Sequence, residues 1–159
     1  MVGGWRHYRF RSCWGLSAEP DVVYALLERA EEYPLWWPQV REVREIDGRR
    51  GSMRFRSVLP YELVVEAREA RRDPAARVLE ISMTGDLDGW ARWTVLPGVA
   101  GTGSRAVFEQ EVELRKPLLR RLGPVCRPFL VLNHTLMMRG GHRGLRSLLA
   151  RGGGAKNAV

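Results

Sequence analysis

Cysteine is nearly absent from this chain: Cys13 and Cys126 are the only two in 159 residues. Two distant cysteines exclude a disulfide-stapled mini-protein and offer no paired metal-ligand motif, so both are expected as free thiols. Histidine is scarce too. His134 and His142 lie eight residues apart, on different arcs of a helix, and His7 is remote, so no metal site is expected. The longest apolar stretch, Pro128 to Met138, is broken by Asn133 and His134 and falls short of the roughly 20 residues that span a bilayer. Arg6, His7, Arg9 and Arg11 leave no room for the apolar segment of a signal peptide, and a cytoplasmic protein is expected. The stretch Gly98-Val-Ala-Gly-Thr-Gly lacks the lysine and following helix of a phosphate loop, and there is no Gly-x-Ser-x-Gly to hold a nucleophilic serine. No cofactor is implied.

What is present is an ordinary globular composition, 45% hydrophobic and 28% charged, in a length that suits one domain. The expected domain covers residues 1–151, followed by a flexible, glycine-rich tail at 152–159. Net charge is +8, almost all of it arginine, since lysine occurs only at Lys116 and Lys156. Dense positive charge attracts polyanions. Here the arginines read as scattered pairs such as Arg49-Arg50, Arg71-Arg72 and Arg120-Arg121, with no nucleic-acid-binding motif to organise them, so no nucleic-acid partner is expected. An acidic protein or an anionic membrane surface remains open as a partner.

Residues 6 to 16 alternate, with Tyr8, Phe10, Ser12 and Trp14 on one face and His7, Arg9, Arg11 and Cys13 on the other, which is the period of a half-buried strand. Ser17-Ala-Glu-Pro-Asp then reads as a helix start, with Ser17 as the cap and Val22, Val23, Leu26 and Leu27 as the apolar stripe of a helix to about Glu32. Tyr33-Pro-Leu-Trp-Trp-Pro is a short aromatic turn that should set Trp36 and Trp37 against the core. Six more strands follow, divided by Asp47-Gly48, Asp73-Pro74, Asp86 to Gly89 and Pro97 to Gly103. Their inward faces are Met53, Phe55, Ser57 and Leu59; Leu63, Val65 and Ala67; Leu79, Ile81 and Met83; Ala91, Trp93 and Val95; and Ala106, Phe108, Gln110, Val112 and Leu114. One dry and one wet face mark an antiparallel sheet with something packed on one side. That partner is the last segment, where Pro117 and Pro128 bracket a first helical piece and Phe129 to Leu149 form a long helix. Thr135, Arg139, His142, Arg143 and Arg146 make its polar arc; the broad apolar remainder predicts burial along much of its length. Gly140, Gly141 and Gly144 would cost about 1 kcal/mol each there, and close approach of another element, or a bend, explains them.

The order strand, two helices, six strands, long helix, together with Ala18-Glu-Pro-Asp-Val-Val-Tyr, Tyr33-Pro-Leu-Trp-Trp-Pro-Gln-Val, Leu59-Pro-Tyr-Glu-Leu, Gly85-Asp-Leu-Asp-Gly and Asn133-His-Thr-Leu-Met-Met-Arg-Gly-Gly-His-Arg-Gly-Leu, resembles the SRPBCC superfamily. These are the START-like helix-grip proteins, and the chain is most similar to their bacterial polyketide cyclase/dehydrase-like branch. The resemblance implies an α+β helix-grip fold: a seven-stranded curved antiparallel sheet wrapped around a long C-terminal helix, with two short helices between strands 1 and 2. It also implies a cavity between sheet and helix that accepts lipids, polyketides or other apolar molecules. It does not choose among carriers, sensors and cyclases.

Three functional readings follow. In the first, the chain binds a small hydrophobic ligand among Phe10, Phe55, Tyr61, Leu63, Trp93, Phe108, Gln110, Asn133 and Met137. In the second it is a polyketide cyclase or dehydratase. Such chemistry needs a base and an enolate-stabilising donor, and no Asp or Glu faces inward. His134 is then the acid/base and Tyr61 or Asn133 holds the oxyanion; the positive surface would receive an acidic acyl carrier protein. His134 reads first as a core histidine hydrogen-bonded to the first helix or the sheet, and Asn133 as an amide that satisfies a strand end or a buried water. The third is an interaction protein with a basic outer surface and a packed interior.

Overall fold

The computed structural model describes residues 6–56 and 62–156. Its seven strands are β1 (His7–Leu16), β2 (Val40–Asp47), β3 (Arg50–Arg56), β4 (Glu62–Asp73), β5 (Val78–Gly85), β6 (Leu87–Pro97) and β7 (Ser104–Leu114). They form one antiparallel sheet in the order β1-β7-β6-β5-β4-β3-β2. The helices are α1 (Pro20–Glu28), α2 (Tyr33–Trp36), α3 (Pro117–Leu122) and α4 (Arg127–Lys156). This is the helix-grip architecture, with the two short helices between β1 and β2 and the long helix last.

Local chemistry explains most boundaries. In β1 the alternation places Tyr8, Trp14 and Leu16 in the core and His7, Arg9 and Arg11 outside. The Asp47 carboxylate accepts the amides of Arg49 and Arg50 at 2.9 and 3.0 Å, which closes the β2–β3 turn; these bonds hold its carboxyl below the usual range. Asp73 repeats the device on the amide of Ala76 at 3.0 Å, and Arg77 supplies the positive φ of 54° that this turn demands. Register shifts within β2–β3 and after Glu69 in β4 bend the sheet. At Gly89 in β6 a side chain would collide with the Glu111 carbonyl of β7, so only glycine permits that close pairing.

Three expectations are corrected. The cap of α1 is Glu19, not Ser17, and makes no side-chain bond; Pro20 at the first helical position leaves one fewer amide to satisfy. The helix also ends at Glu28, and a separate turn of 3-10 helix, Ala30–Glu32, leads into α2. Tyr33 explains the break: its hydroxyl donates to the Leu27 carbonyl at 2.5 Å, replacing the helical bond that continuation would have supplied. Finally, α4 starts at Arg127 and continues through Lys156, and its first half exposes Phe129, Val131, Leu132 and Leu136 instead of burying them.

The tryptophans behave as the aromatic turn requires. Trp36 and Trp37, 5% and 3% exposed, both reach the core: Trp36 ends the single-turn α2, Trp37 follows it, and their rings stack at 5.5 Å. Trp37 donates its indole N–H to the Met137 carbonyl at 2.8 Å and thereby pins α4. The α4 glycines are the other half of that contact. A Cβ on Gly141 would enter the rings of Trp37 and Trp14, and one on Gly144 would overlap the Trp36 carbonyl oxygen. His142 adds a further tie, its Nε2 donating to the Gly15 carbonyl at 2.9 Å while its ring stacks on Trp14. Thus α4 approaches α2 and the end of β1 closely.

Candidate functional site

A cavity of about 370 Å³ lies between α1, α2, the inner faces of β2–β7, and α4, within the range that holds a small organic molecule. Its inner wall is apolar. Val40, Met53, Phe55, Ile81, Met83 and Ala91 line it from the sheet, Trp37 from the turn after α2 and Met137 from α4. Trp93 and Phe108 stand side by side, ring centres 4.9 Å apart, with Trp14 packed behind Trp93 at 4.7 Å. Flat aromatic walls and the three flexible thioethers of Met53, Met83 and Met137 suit an apolar guest of irregular shape.

Polar groups are few inside. Gln110, 7% exposed, is brought in by β7, opposite Phe10 on β1 and Ala91 on β6. Its amide nitrogen makes only a long 3.9 Å bond to the Met83 sulfur, so most of its hydrogen-bonding capacity is available to a guest. Tyr33 also lines the cavity, but its hydroxyl is committed to Leu27, and burial pushes its pKa up. The charged residues gather at the rim. There Glu28 and Glu69 meet Arg72 at 3.7 and 3.0 Å, and Glu80 meets Arg92 at 2.7 Å. Arg44, Arg49 and Arg50 of the β2–β3 hairpin complete the mouth.

The anticipated site residues separate into two groups. Phe55, Trp93, Phe108, Gln110 and Met137 line the cavity together. Phe10, Leu63, Asn133 and His134 do not line it: Leu63 is in the core, and Asn133 is buried on α4. His134 packs flat on Phe10, ring centres 3.8 Å apart, and lies 5.9 Å from Phe108, whose ring is part of the cavity wall. Among the described residues its Nε2 has no hydrogen-bond partner, and burial pushes the imidazole down to about 4, so the ring is neutral near pH 7. Tyr61, with Ser57 and Leu59, lies outside the described residues. Missed by sequence reasoning were the contributions of α1, the 3-10 turn and the β2–β3 hairpin, including Leu27, Ala30 and Val43. Alternation identifies the sheet's inner face but carries no information on which residues of separate elements close over it.

These features accord with the comparisons. Residues 16–125 match the family described as polyketide cyclase / dehydrase and lipid transport. The chain belongs to this family. Its fold is that of the Zhui aromatase/cyclase from Streptomyces sp. R1128, with a TM-score of 0.73 and 17% identity over 97% of this chain and 99% of that one. A START superfamily protein from Mycobacterium smegmatis is similar with a TM-score of 0.69 and 13% identity, covering 90% of this chain and 97% of that one. So is ginseng major latex-like protein 151 from Panax ginseng, with a TM-score of 0.63, 9% identity and coverage of 89% and 97%. At these identities the likeness is one of fold. No curated protein matches the chain. Among the described residues of this family member, no helix is long and apolar enough to cross a membrane.

Proposed function

We propose that this polyketide cyclase/dehydrase-family chain is a cytoplasmic module that binds a small hydrophobic molecule between the sheet and α4. The observation that carries the reading is the cavity itself, walled by Trp93, Phe108, Phe55 and Met137, with one under-used amide, Gln110, and every carboxylate kept to the rim. Such a site supplies burial and one oriented hydrogen bond, the combination that selects an apolar guest bearing a carbonyl or hydroxyl. The natural occupant is read by mass spectrometry of protein purified under native conditions and then denatured. A lipid, fatty acid or polyketide released in stoichiometric amount supports the proposal. Repeated absence, also after incubation with mixed lipids and aromatic polyketides, rejects it in favour of a packed interaction protein.

The second reading is a cyclase or dehydratase with His134 as acid/base, supplied by an acidic acyl carrier protein. What favours it is the unpartnered Nε2 of His134 directly behind Phe108. A base depressed to about 4 is a feeble proton acceptor at pH 7, so the binding reading stands first. His134→Gln separates the two: a binding module keeps its affinity, whereas a His134-dependent cyclase loses turnover on a poly-β-keto substrate.

A further inference from the structure

The positive charge of this protein is segregated. All 18 Asp and Glu residues occur at or before Glu113, together with 16 of the Lys and Arg residues; the remaining ten Lys and Arg, Arg115 to Lys156, stand in a stretch with no carboxylate at all. That stretch is the two-residue link Arg115–Lys116, α3, the 3-10 turn Gly123–Cys126, and α4. The apparent scatter of arginine pairs therefore conceals a body that is slightly acidic, at −2, and a C-terminal segment at +10, which together give the net +8.

Among the described residues, the same segment also holds a cluster of large apolar side chains that the fold leaves exposed. Leu122, Val125, Phe129, Leu132 and Leu136 are between 36% and 71% exposed. At 100° per residue, Phe129, Leu132 and Leu136 share one face of α4 with Arg139, Arg143 and Arg146, while Leu130, Met138 and Leu145 are buried. The solvent face of α4 is thus apolar over its first half and basic over its second. The arginines there line an open groove with His142 and Ser147, and no carboxylate of α4 is available to neutralise them. About 15 Å along the axis separates the centres of the two halves.

From this arrangement we infer that the outer face of α3–α4 docks on an anionic lipid surface, with Phe129, Leu132 and Leu136 entering the acyl boundary and Arg139, Arg143 and Arg146 lying among the phosphates. An axially divided face fits a helix tilted into the interface, its apolar end deeper than its basic end. The complementarity argues for this occupant over the others. A second copy would bring one carboxylate-free segment against another and repel. A nucleic acid would meet the arginines but offers no apolar layer for the leucines. An acidic protein would need a matched apolar patch placed beside its charge, whereas a bilayer presents both layers everywhere. The inference does not depend on what fills the cavity.

The test is co-sedimentation of the full chain with vesicles of phosphatidylcholine alone and of phosphatidylcholine containing about 30% phosphatidylglycerol. Binding is expected only to the anionic vesicles, and to fall at least about tenfold for Arg139→Glu with Arg143→Glu and also for Phe129→Ser with Leu132→Ser. Both double variants alter exposed side chains, so their far-ultraviolet circular dichroism and melting should match the parent. Three results overturn the inference: no binding of the parent to anionic vesicles, binding that the Phe129/Leu132 variant retains in full, or a parent that sediments as a dimer and reverts to monomer on that substitution. Partition of an apolar fluorophore into the cavity should be unchanged in both variants; its failure in the parent would count against the binding function and leave the docking result standing.

Discussion

At the scale of single residues, two buried groups make opposite demands. His134 is more stable neutral in the fold than in the open chain, its imidazole lowered from 6.5 to about 4 by burial. A depressed histidine stabilises fully above the unfolded value, and that contribution is lost as pH falls from 6.5 towards 4. The parent should therefore lose stability relative to His134→Phe over this window, by on the order of 3 kcal/mol at its lower end. Urea titrations of both proteins from pH 7 to pH 4 measure the gap, and parallel curves would refute the assignment. Tyr33 is the second case. Removing its hydroxyl leaves the Leu27 carbonyl, buried at the end of α1, without its 2.5 Å donor. Tyr33→Phe should cost about 1–3 kcal/mol in the same assay, with the aromatic contacts to Trp36 and Trp37 retained.

At the scale of elements, α4 is held by backbone proximity as much as by side-chain burial, and its glycines differ in what they permit. The Cβ of alanine at Gly144 would overlap a backbone oxygen, the Trp36 carbonyl, which cannot move without shifting α2. At Gly140 the obstacle is the far end of the Gln39 side chain, which can rotate away after giving up a long 3.5 Å bond to Leu136. Gly144→Ala should lower stability by roughly 2–4 kcal/mol as the packed turn is forced apart, whereas Gly140→Ala should be within about 1 kcal/mol of the parent, aided by better helix propensity. Thermal melts of the pair check this contrast, and equal losses would mean that the helix does not approach α2 as described. The hairpins were readable in advance because Asp47-Gly48 and Asp73-Pro74 carry their turn chemistry locally. The end of α1 was not, since the Tyr33 hydroxyl that closes it comes from six residues further on.

At the scale of the whole molecule, the cavity couples binding to stability. A guest that binds only the folded chain raises its unfolding free energy by about 2.7 kcal/mol at a hundredfold excess over Kd. Ala67, half-buried on β4 and part of the cavity wall, is the place to fill that space: Ala67→Leu should weaken binding at least about tenfold, or 1.4 kcal/mol, and abolish the ligand-induced rise in Tm while the unliganded protein still folds. A full-sized shift in the variant would place the guest elsewhere. The order of elements, the inner faces of β1 and β3–β7 and the aromatic turn were legible in the chain, because periods of 2 and 3.6 and the turn residues act over a few neighbours. So was the family, through motifs in a fixed order. Where Phe55, Trp93, Phe108, Gln110 and Met137 meet, why His134 sits behind Phe108 outside the cavity, and which half of α4 stays uncovered were decided by the tertiary structure. Those outcomes depend on how far the sheet curves and how closely Gly141 and Gly144 let α4 approach Trp36 and Trp37, distances set by packing among elements far apart in sequence.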